Sequence, residues 1–369
     1  LSCAYYLAEK GYRPTIFEKN EKAGGMLVYG IPSYKLEKDV VAAEIEVIEA
    51  MGVTIKTGVE VGKDITLEEL RAQGYQAFYI AIGCQGGRKT GVPGEDADGV
   101  VTAVDFLRRA MELSDQNVVG TKDAEAEAST MLSGDVVVIG GGNVAIDAAR
   151  TSTRCGASAV SMYCLESRDT MAEEEAVTIH CGWGPKEILS RDGKVTGIVL
   201  KKCISVTDEQ GRFAPVYDEE DTIEVPCSHV ILSVGQSILW GELLDGSKVE
   251  LGRGNGAMAD PLTYQTAEPD IFVGGDVYTG PKFAIDAIAA GREGAISIHR
   301  FVQPHSSLTI GRNRRDFIEL DKDNIRVEEY DNSSRQIPGK NASINAKRSF
   351  RDPKLTFTEE QVRKETARC

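Results

Sequence analysis

An α/β protein with two Rossmann-like units is predicted by three stretches of this sequence. The first, DVVVIGGGNVAIDAARTSTRCGASAVSMYCLE, residues 135–166, reads as strand, glycine loop, helix and strand. The second opens the chain: LSCAYYLAEKGY reads as a helix and RPTIFEKN as a strand that ends on Glu18. The third, DIFVGGDVYTGPKFAIDAIAAGREGAISIHRFV, is a strand, a Gly-Gly-Asp turn and a long Ala-rich helix. Their order places one complete unit, residues 101–235, inside a second that is split into 1–100 and 236–301. Each unit is expected to have three layers, ββα. Residues 302–369 form a polar tail.

The elements follow in order. In the first helix Leu1, Ala4, Tyr5 and Ala8 fall on one face, and Gly11 stops it. Thr15–Phe17 is expected as a buried strand. Gly24, Gly25 and Gly30 mark an irregular loop, and a helix is predicted from Glu37 to Met51. Short strands fit Thr54–Lys56 and Ala77–Ile82, the second ending on Gly83. Residues 114–133 are polar and acidic and read as a linker. Val136–Ile139 is a β-branched run suited to a strand buried on both faces. Ala145–Arg154 reads as a helix and Ala159–Tyr163 as the next strand. Residues 186–234 alternate β-like runs with turns, a β-meander. A last short helix is expected from Glu359 to Arg368.

Composition bounds the function. The chain has 369 residues, 41% hydrophobic and 27% charged, enough for two cores. A net charge of −15 argues against a nucleic-acid role. The tail after Val302 is the exception, with more basic than acidic residues. No apolar run reaches the length of a membrane span, and no basic leader region with a cleavage site precedes the first helix. The expected compartment is the cytoplasm. Of the 8 cysteines, Cys3, Cys84, Cys155, Cys164, Cys181, Cys203, Cys227 and Cys369, no two have C-x-x-C spacing. That counts against zinc ribbons, complete ferredoxin repeats and redox disulfides, and reads as scattered small core residues. The 4 histidines form no metal-binding pattern.

The glycine motifs carry the chemistry. Gly140, Gly141, Gly142, Asn143, Val144 and Ala145 satisfy G-x-G-x-x-[GA] between a strand and a helix. Such a loop lets the backbone approach a pyrophosphate, and the helix start aims free N–H groups at it. The acid that reads the ribose is expected at the end of the following strand: Glu166, or with poorer placement Asp169. A carboxylate there repels a 2′-phosphate, whereas Arg168 favours one. Glu18 has the same logic in the first unit. Asp276, after Gly274 and Gly275, can accept a ribityl hydroxyl. Two nucleotide folds imply FAD in one and a nicotinamide cofactor in the other. Their chemistry requires no side-chain acid or base, so no catalytic residue is assigned.

These residues resemble a known family, the small subunit of bacterial glutamate synthase, which is similar to the flavin domains of dihydropyrimidine dehydrogenase. The resemblance rests on FEKNEKAGGMLVYGIPSYKLEKDVV, AIGCQGGRKTGVPGEDADGV, VVVIGGGNVAIDAARTSTRCGA and FVGGDVYTGPKFAIDAIAAGREGA, in family order. It implies FAD contacts from Glu18, Lys19, Gly24, Gly25, Lys35, Val61, Gly83, Gly275, Asp276, Phe283 and Ala284. It implies nicotinamide-cofactor contacts from Gly140 to Val144, Glu166, Arg168 and Gly235. It also implies hydride transfer from NAD(P)H to FAD, then electron transfer through iron–sulfur clusters to a partner domain or subunit. Where the family commonly has two arginines after the strand tyrosine, this chain has Cys164 and Leu165, which with Glu166 leans to NADH. Met171-Ala172-Glu173 replaces the usual Met-Pro-Ala.

By the same resemblance a first strand and phosphate loop are expected before Leu1, and Cys369 is expected as the first iron–sulfur ligand of a segment beyond the end. The chain is therefore expected to be shortened at both ends. Two other functions compete: a thioredoxin-reductase-like disulfide reductase, which needs a C-x-x-C, and a non-catalytic docking module. Arg312, Arg314 and Arg315 could meet an acidic ferredoxin-like partner, or the tail could wrap its own acidic core.

Overall fold

The computed structural model describes residues 1–115, 130–166, 177–312, 321, 324, 334–341 and 349–367. The first part of the chain runs α1 (Ser2–Glu9), β1 (Thr15–Glu18), α2 (Met26–Tyr29), α3 (Lys38–Ala50), β2 (Thr54–Thr57), α4 (Leu67–Ala72), β3 (Phe78–Ile80) and β4 (Gly86–Gly87). Then come β5 (Val100–Thr102), α5 (Ala103–Asp115), β6 (Asp135–Ile139), α6 (Asn143–Arg154), β7 (Ala159–Cys164) and β8 (Thr178–Cys181). Three longer strands follow, β9 (Trp183–Arg191), β10 (Lys194–Thr207) and β11 (Phe213–Pro226), then β12 (His229–Leu232) and β13 (Gln236–Ser237). The chain ends with β14 (Ile271–Val273), α7 (Asp276–Thr279), α8 (Ala284–Val302) and α9 (Glu359–Ala367).

One five-stranded sheet, ordered β5-β12-β6-β7-β8, is parallel throughout. The side-chain period of two sorts its central strand. Val136 and Val138 face the helices, packing with Phe106 and Leu107 of α5 and Ile146 and Ala149 of α6. Val137 and Ile139 face the antiparallel β9–β11 sheet, against Ile188, Ile198 and Leu200. A strand buried on both faces needs apolar side chains at every position, and Val136–Ile139 supplies them. The result is three layers, ββα. The meander is shorter than expected: β12 leaves it and inserts between β5 and β6.

A second set of parallel pairs lies outside this sheet. Glu18 pairs with Thr57 in β1–β2, and Ile271 pairs with Phe78 in β3–β14. The β1 strand is half-buried along its length rather than fully buried. The buried face of α1 is Cys3, Ala4 and Leu7, not the predicted Leu1, Ala4, Tyr5 and Ala8. The reason is α8, which packs against Cys3 and Leu7 through Ala295 and Ile298. This close crossing uses Gly291, where an added Cβ would stand 2.8 Å from Ser2 Cβ and 2.9 Å from the Cys3 amide nitrogen.

Alanine in mid-helix gains about 1 kcal/mol of propensity over glycine. Overpacking against backbone costs roughly 1–3 kcal/mol. Gly291→Ala is therefore expected to destabilise by about 1 kcal/mol, read as a lower urea midpoint; a higher midpoint would show that the helices separate freely.

The tail is less detached than its composition implies. Phe350 is buried in the α5–α6 core, and Arg312 donates to the Glu293 carboxylate at 2.8 Å and to the Ser297 hydroxyl of α8. Arg312 is thus turned inward, as the acidic-core alternative expects, while Arg314 and Arg315 lie outside the described residues.

Candidate nucleotide-binding site

The glycine loop stands at the C-terminal edge of the five-stranded sheet. Gly140 has φ +134°, and its N–H donates to the Tyr163 carbonyl at 2.8 Å. Gly142 caps α6 without any side-chain capping bond, and nothing lies within 4 Å of where its Cβ would be. The start of α6 therefore opens into free space, as an anion site requires. Asn143 and Val144 form its first turn. An added Cβ on Gly141 would stand 2.7 Å from Glu166 Oε2, so the predicted ribose acid does reach the loop. Gly235 has φ +114°, and its carbonyl accepts from the Arg88 amide at 3.1 Å. Arg168, Asp169, Met171, Ala172 and Glu173 lie outside the described residues.

Gly140, Gly141, Gly142 and Glu166 border a cleft of about 620 Å³, whereas Asn143, Val144 and Gly235 are not among its lining residues. Sequence reasoning missed most of its wall. Arg88, Lys89, Trp183, Lys201, Phe213 and Tyr217 all line it, the last four from the β9–β11 sheet. Lys201 Nζ sits 4.4 Å from the Tyr217 ring centre and 2.6 Å from a Glu219 oxygen. The available signal was the aromatic and basic content of the meander, which periodicity alone does not aim at a neighbouring sheet. A second cavity, about 540 Å³ among Glu250, Arg253, Met258 and Tyr278, contains none of the predicted residues.

The sequence spacing kept all cysteines apart, whereas the strand register does not. Cys164 and Cys181 end β7 and β8 as direct register partners. Burial, then the neighbouring Cys181, pushes the Cys164 thiol up to about 12. None of the described cysteines is in a disulfide.

The remaining predicted residues gather around β1, β3 and α7. Glu18 Oε1 accepts from the Asn20 amide at 2.8 Å and from Asn20 Nδ2 at 2.7 Å. Lys19 lies 3.9 Å from Glu60, and Val61 bridges to Ile65. Gly24 and Gly25 have φ +122° and +55° and lead into α2. Ideal Cβ positions on Gly25 and Gly83 lie 3.9 and 3.4 Å from Gln85 Nε2, so the two loops converge. Cys84 Sγ points to the Asp276 carbonyl at 3.9 Å, joining that convergence to the Gly275 turn. Burial raises the Asp276 carboxyl above its usual range, offset in part by a bond from the Lys282 amide. Ahead of α8, the Phe283 amide donates to Asp286 Oδ2 at 3.1 Å, and Ala284 opens the helix. Phe283, Ile285 and Ile288 leave an apolar, exposed helix start.

Lys35 goes elsewhere. Its ammonium meets the Asp147 carboxylate on α6, beside Tyr34, whose hydroxyl lies 3.2 Å from Thr151 Oγ1. Cys369 lies outside the described residues, and among those described no cluster of His, Cys, Asp or Glu could hold a metal. Also among the described residues, no helix is long and apolar enough to cross a membrane.

Two dinucleotide folds in one chain define its class, an FAD/NAD(P)-binding oxidoreductase. The chain belongs to the pyridine nucleotide-disulphide oxidoreductase family, whose sequence profile matches residues 1–291. It is 36% identical over 316 residues to the beta subunit of the NADP(+)-dependent formate dehydrogenase of Moorella thermoacetica, across 82% of this chain and 42% of that protein. It is 31% identical over 318 residues to the glutamate synthase (NADPH) small chain of Escherichia coli (strain K12), across 82% of this chain and 66% of that one. The chain thus spans less than two thirds of either relative. Among solved structures, FprA of Mycobacterium tuberculosis in complex with NADPH shares the fold, at a TM-score of 0.64 and 18% identity, over 81% of this chain and 82% of that one.

Proposed function

We propose that this chain takes hydride from a nicotinamide nucleotide onto FAD and passes electrons on to an iron–sulfur partner domain or subunit, in the manner of glutamate synthase small chains. Residues 101–235 hold the nicotinamide nucleotide, and residues 1–100 with 236–301 hold FAD. The observation that carries the reading is the open, uncapped start of α6 beside Glu166 in a cleft of nucleotide size. The FAD assignment is supported by the convergence of Gly25 and Gly83 on Gln85, and by Gly275, whose Cβ position lies 3.7 Å from Ala287 near the exposed apolar start of α8.

Bound together, the two cofactors supply hydride transfer from nicotinamide to flavin. The chain's own residues position and shield. Gly140, Gly141 and Gly142 admit a pyrophosphate, and the first turn of α6 aims its N–H groups at it. Glu166 accepts from ribose hydroxyls and disfavours a 2′-phosphate, so NADH is the expected donor. Glu18 plays the ribose-binding part in the other unit, and Asp276 accepts from the ribityl chain. The names of the relatives, a beta subunit and a small chain, support a partner subunit as the electron acceptor. A reducing cytoplasm fits the reduced state of the described cysteines.

The test is spectroscopic. Full-length protein purified with its flavin is expected to bleach anaerobically on NADH addition, and more slowly on NADPH. An unbleached flavin with both nucleotides would end this reading. Faster bleaching by NADPH would overturn only the role given to Glu166.

A further inference from the structure

Building on the nicotinamide cleft proposed above, we infer that Cys164 and Cys181 are a redox-modification site whose disulfide form closes that cleft to its nucleotide. Two observations and the general spacing of strands carry this. The two residues are register partners at the ends of adjacent parallel strands. Neighbouring strands lie about 4.8 Å apart, within the roughly 4.4–6.8 Å Cα separation that a disulfide spans. Cys164 lines the cleft, and its Cβ lies 3.1 Å from where a Cβ on Gly141 would stand, so movement of Cys164 is felt by the glycine loop.

The pair is asymmetric in a useful way. Cys181 is half-buried on β8, the edge strand, and Cys164 is buried. The reaction partner is a low-molecular-weight disulfide such as oxidised glutathione. The Cys181 thiolate attacks one of its sulfurs, the small S–S bond breaks, and one thiolate leaves and takes up a proton. Cys164 then loses its proton and its sulfur attacks Cys181, forming the protein S–S bond and expelling the second small thiol. Two protein thiols are oxidised, and one small disulfide is reduced to two thiols. The buried Cys164 thiol holds its proton tightly, so the second step is the slow one.

Because the strand spacing already suits a disulfide, joining the sulfurs turns the Cys164 side chain rather than moving β7. The thiol hydrogen that reaches the Glu166 carbonyl at 3.6 Å is lost, so Glu166, two residues past Cys164, is released from that contact. The loop and the ribose acid then no longer meet.

The experiment uses the full-length protein in three states: reduced, treated with oxidised glutathione, and re-reduced with dithiothreitol. Peptide mapping reads the Cys164–Cys181 link, and titration reads NADH and NADPH affinity. The expected result is a linked peptide and a roughly tenfold or greater loss of affinity, recovered on re-reduction. Cys181→Ser is expected to bind nucleotide as the reduced protein does and to ignore the oxidant. Cys203→Ser, at a buried cysteine not among the cleft-lining residues, is expected to remain sensitive. Glutathione retained on Cys181 with no Cys164 link would overturn the inference, as would a link that leaves affinity unchanged. If the reduced protein binds neither nucleotide, the cleft assignment itself fails and the switch falls with it. Normal reduced-state binding without a link defeats the switch alone.

Discussion

Gly140→Ala is expected to destabilise the protein by about 3 kcal/mol and to abolish tight nucleotide binding. At φ +134° an L side chain is strained by roughly 1–3 kcal/mol. Its Cβ would also stand 2.4 Å from the Ser233 carbonyl oxygen, a backbone atom with no freedom to swing away. Ser233 is fixed by its own amide bond to the Ile139 carbonyl at 2.8 Å, and Gly140 by its bond to Tyr163. Gly142→Ala is the informative companion. Gly142 has φ −77°, and its Cβ position is open, so the fold should accept the methyl group. That methyl would occupy space a pyrophosphate needs. The pair is therefore expected to separate: thermal melts show Gly140→Ala destabilised and Gly142→Ala close to wild type, while both lose NADH affinity. Undiminished affinity in Gly142→Ala would remove the start of α6 from the site.

The second large effect is expected at Arg154. Its side chain is buried although it carries a permanent charge. The guanidinium lies 3.8 Å from the Tyr34 ring centre, and it donates to the Ser349 carbonyl at 2.9 Å and the Arg150 carbonyl at 2.8 Å. A desolvated cation–π contact is worth up to about 2 kcal/mol, and hydrogen bonds from a charged donor about 1.5–3 kcal/mol each. These terms overlap, and the charge itself is costly to bury. Arg154→Ala is therefore expected to cost about 3 kcal/mol overall. It would free the 349–350 segment from α6, while Tyr34 keeps its Thr151 contact and Lys35 its Asp147 ion pair. Arg154→Lys keeps the charge but not the planar stack, and should fall between the two. Urea unfolding gives the energies, and hydrogen exchange at Phe350 reports release of the segment. Unchanged exchange in Arg154→Ala would show that Phe350 holds the tail without help.

Much of the fold was legible in the sequence because its signals are local. The β6–loop–α6–β7 run follows from a β-branched stretch, three glycines and an amphipathic helix, all adjacent in the chain. Glu18 at the end of β1 and Asp276 at the start of α7 were legible for the same reason. What escaped depends on pairings between distant segments. The buried face of α1 was misread because α8, from the other end of the unit, selects Cys3 and Leu7. Cys164 and Cys181 looked unrelated because parallel register, not spacing, brings them together. The aromatic and basic wall of the cleft comes from β9–β11, whose alternation reveals faces but not neighbours. Phe350 lies in a polar stretch whose composition gives no hint of burial.

The strand order also governs how the molecule is made. Val100–Thr102 finds its sheet neighbour only when His229–Leu232 has been synthesised, and Phe78–Ile80 must wait for Ile271–Val273. Because the second wait encloses the first, neither half can seal early on the ribosome, and the inner one closes before the outer. The nascent chain therefore carries uncovered strand edges from the synthesis of Phe78–Ile80 until that of Ile271–Val273. Its yield in a cell should depend more on chaperone supply and elongation speed than its final stability would indicate.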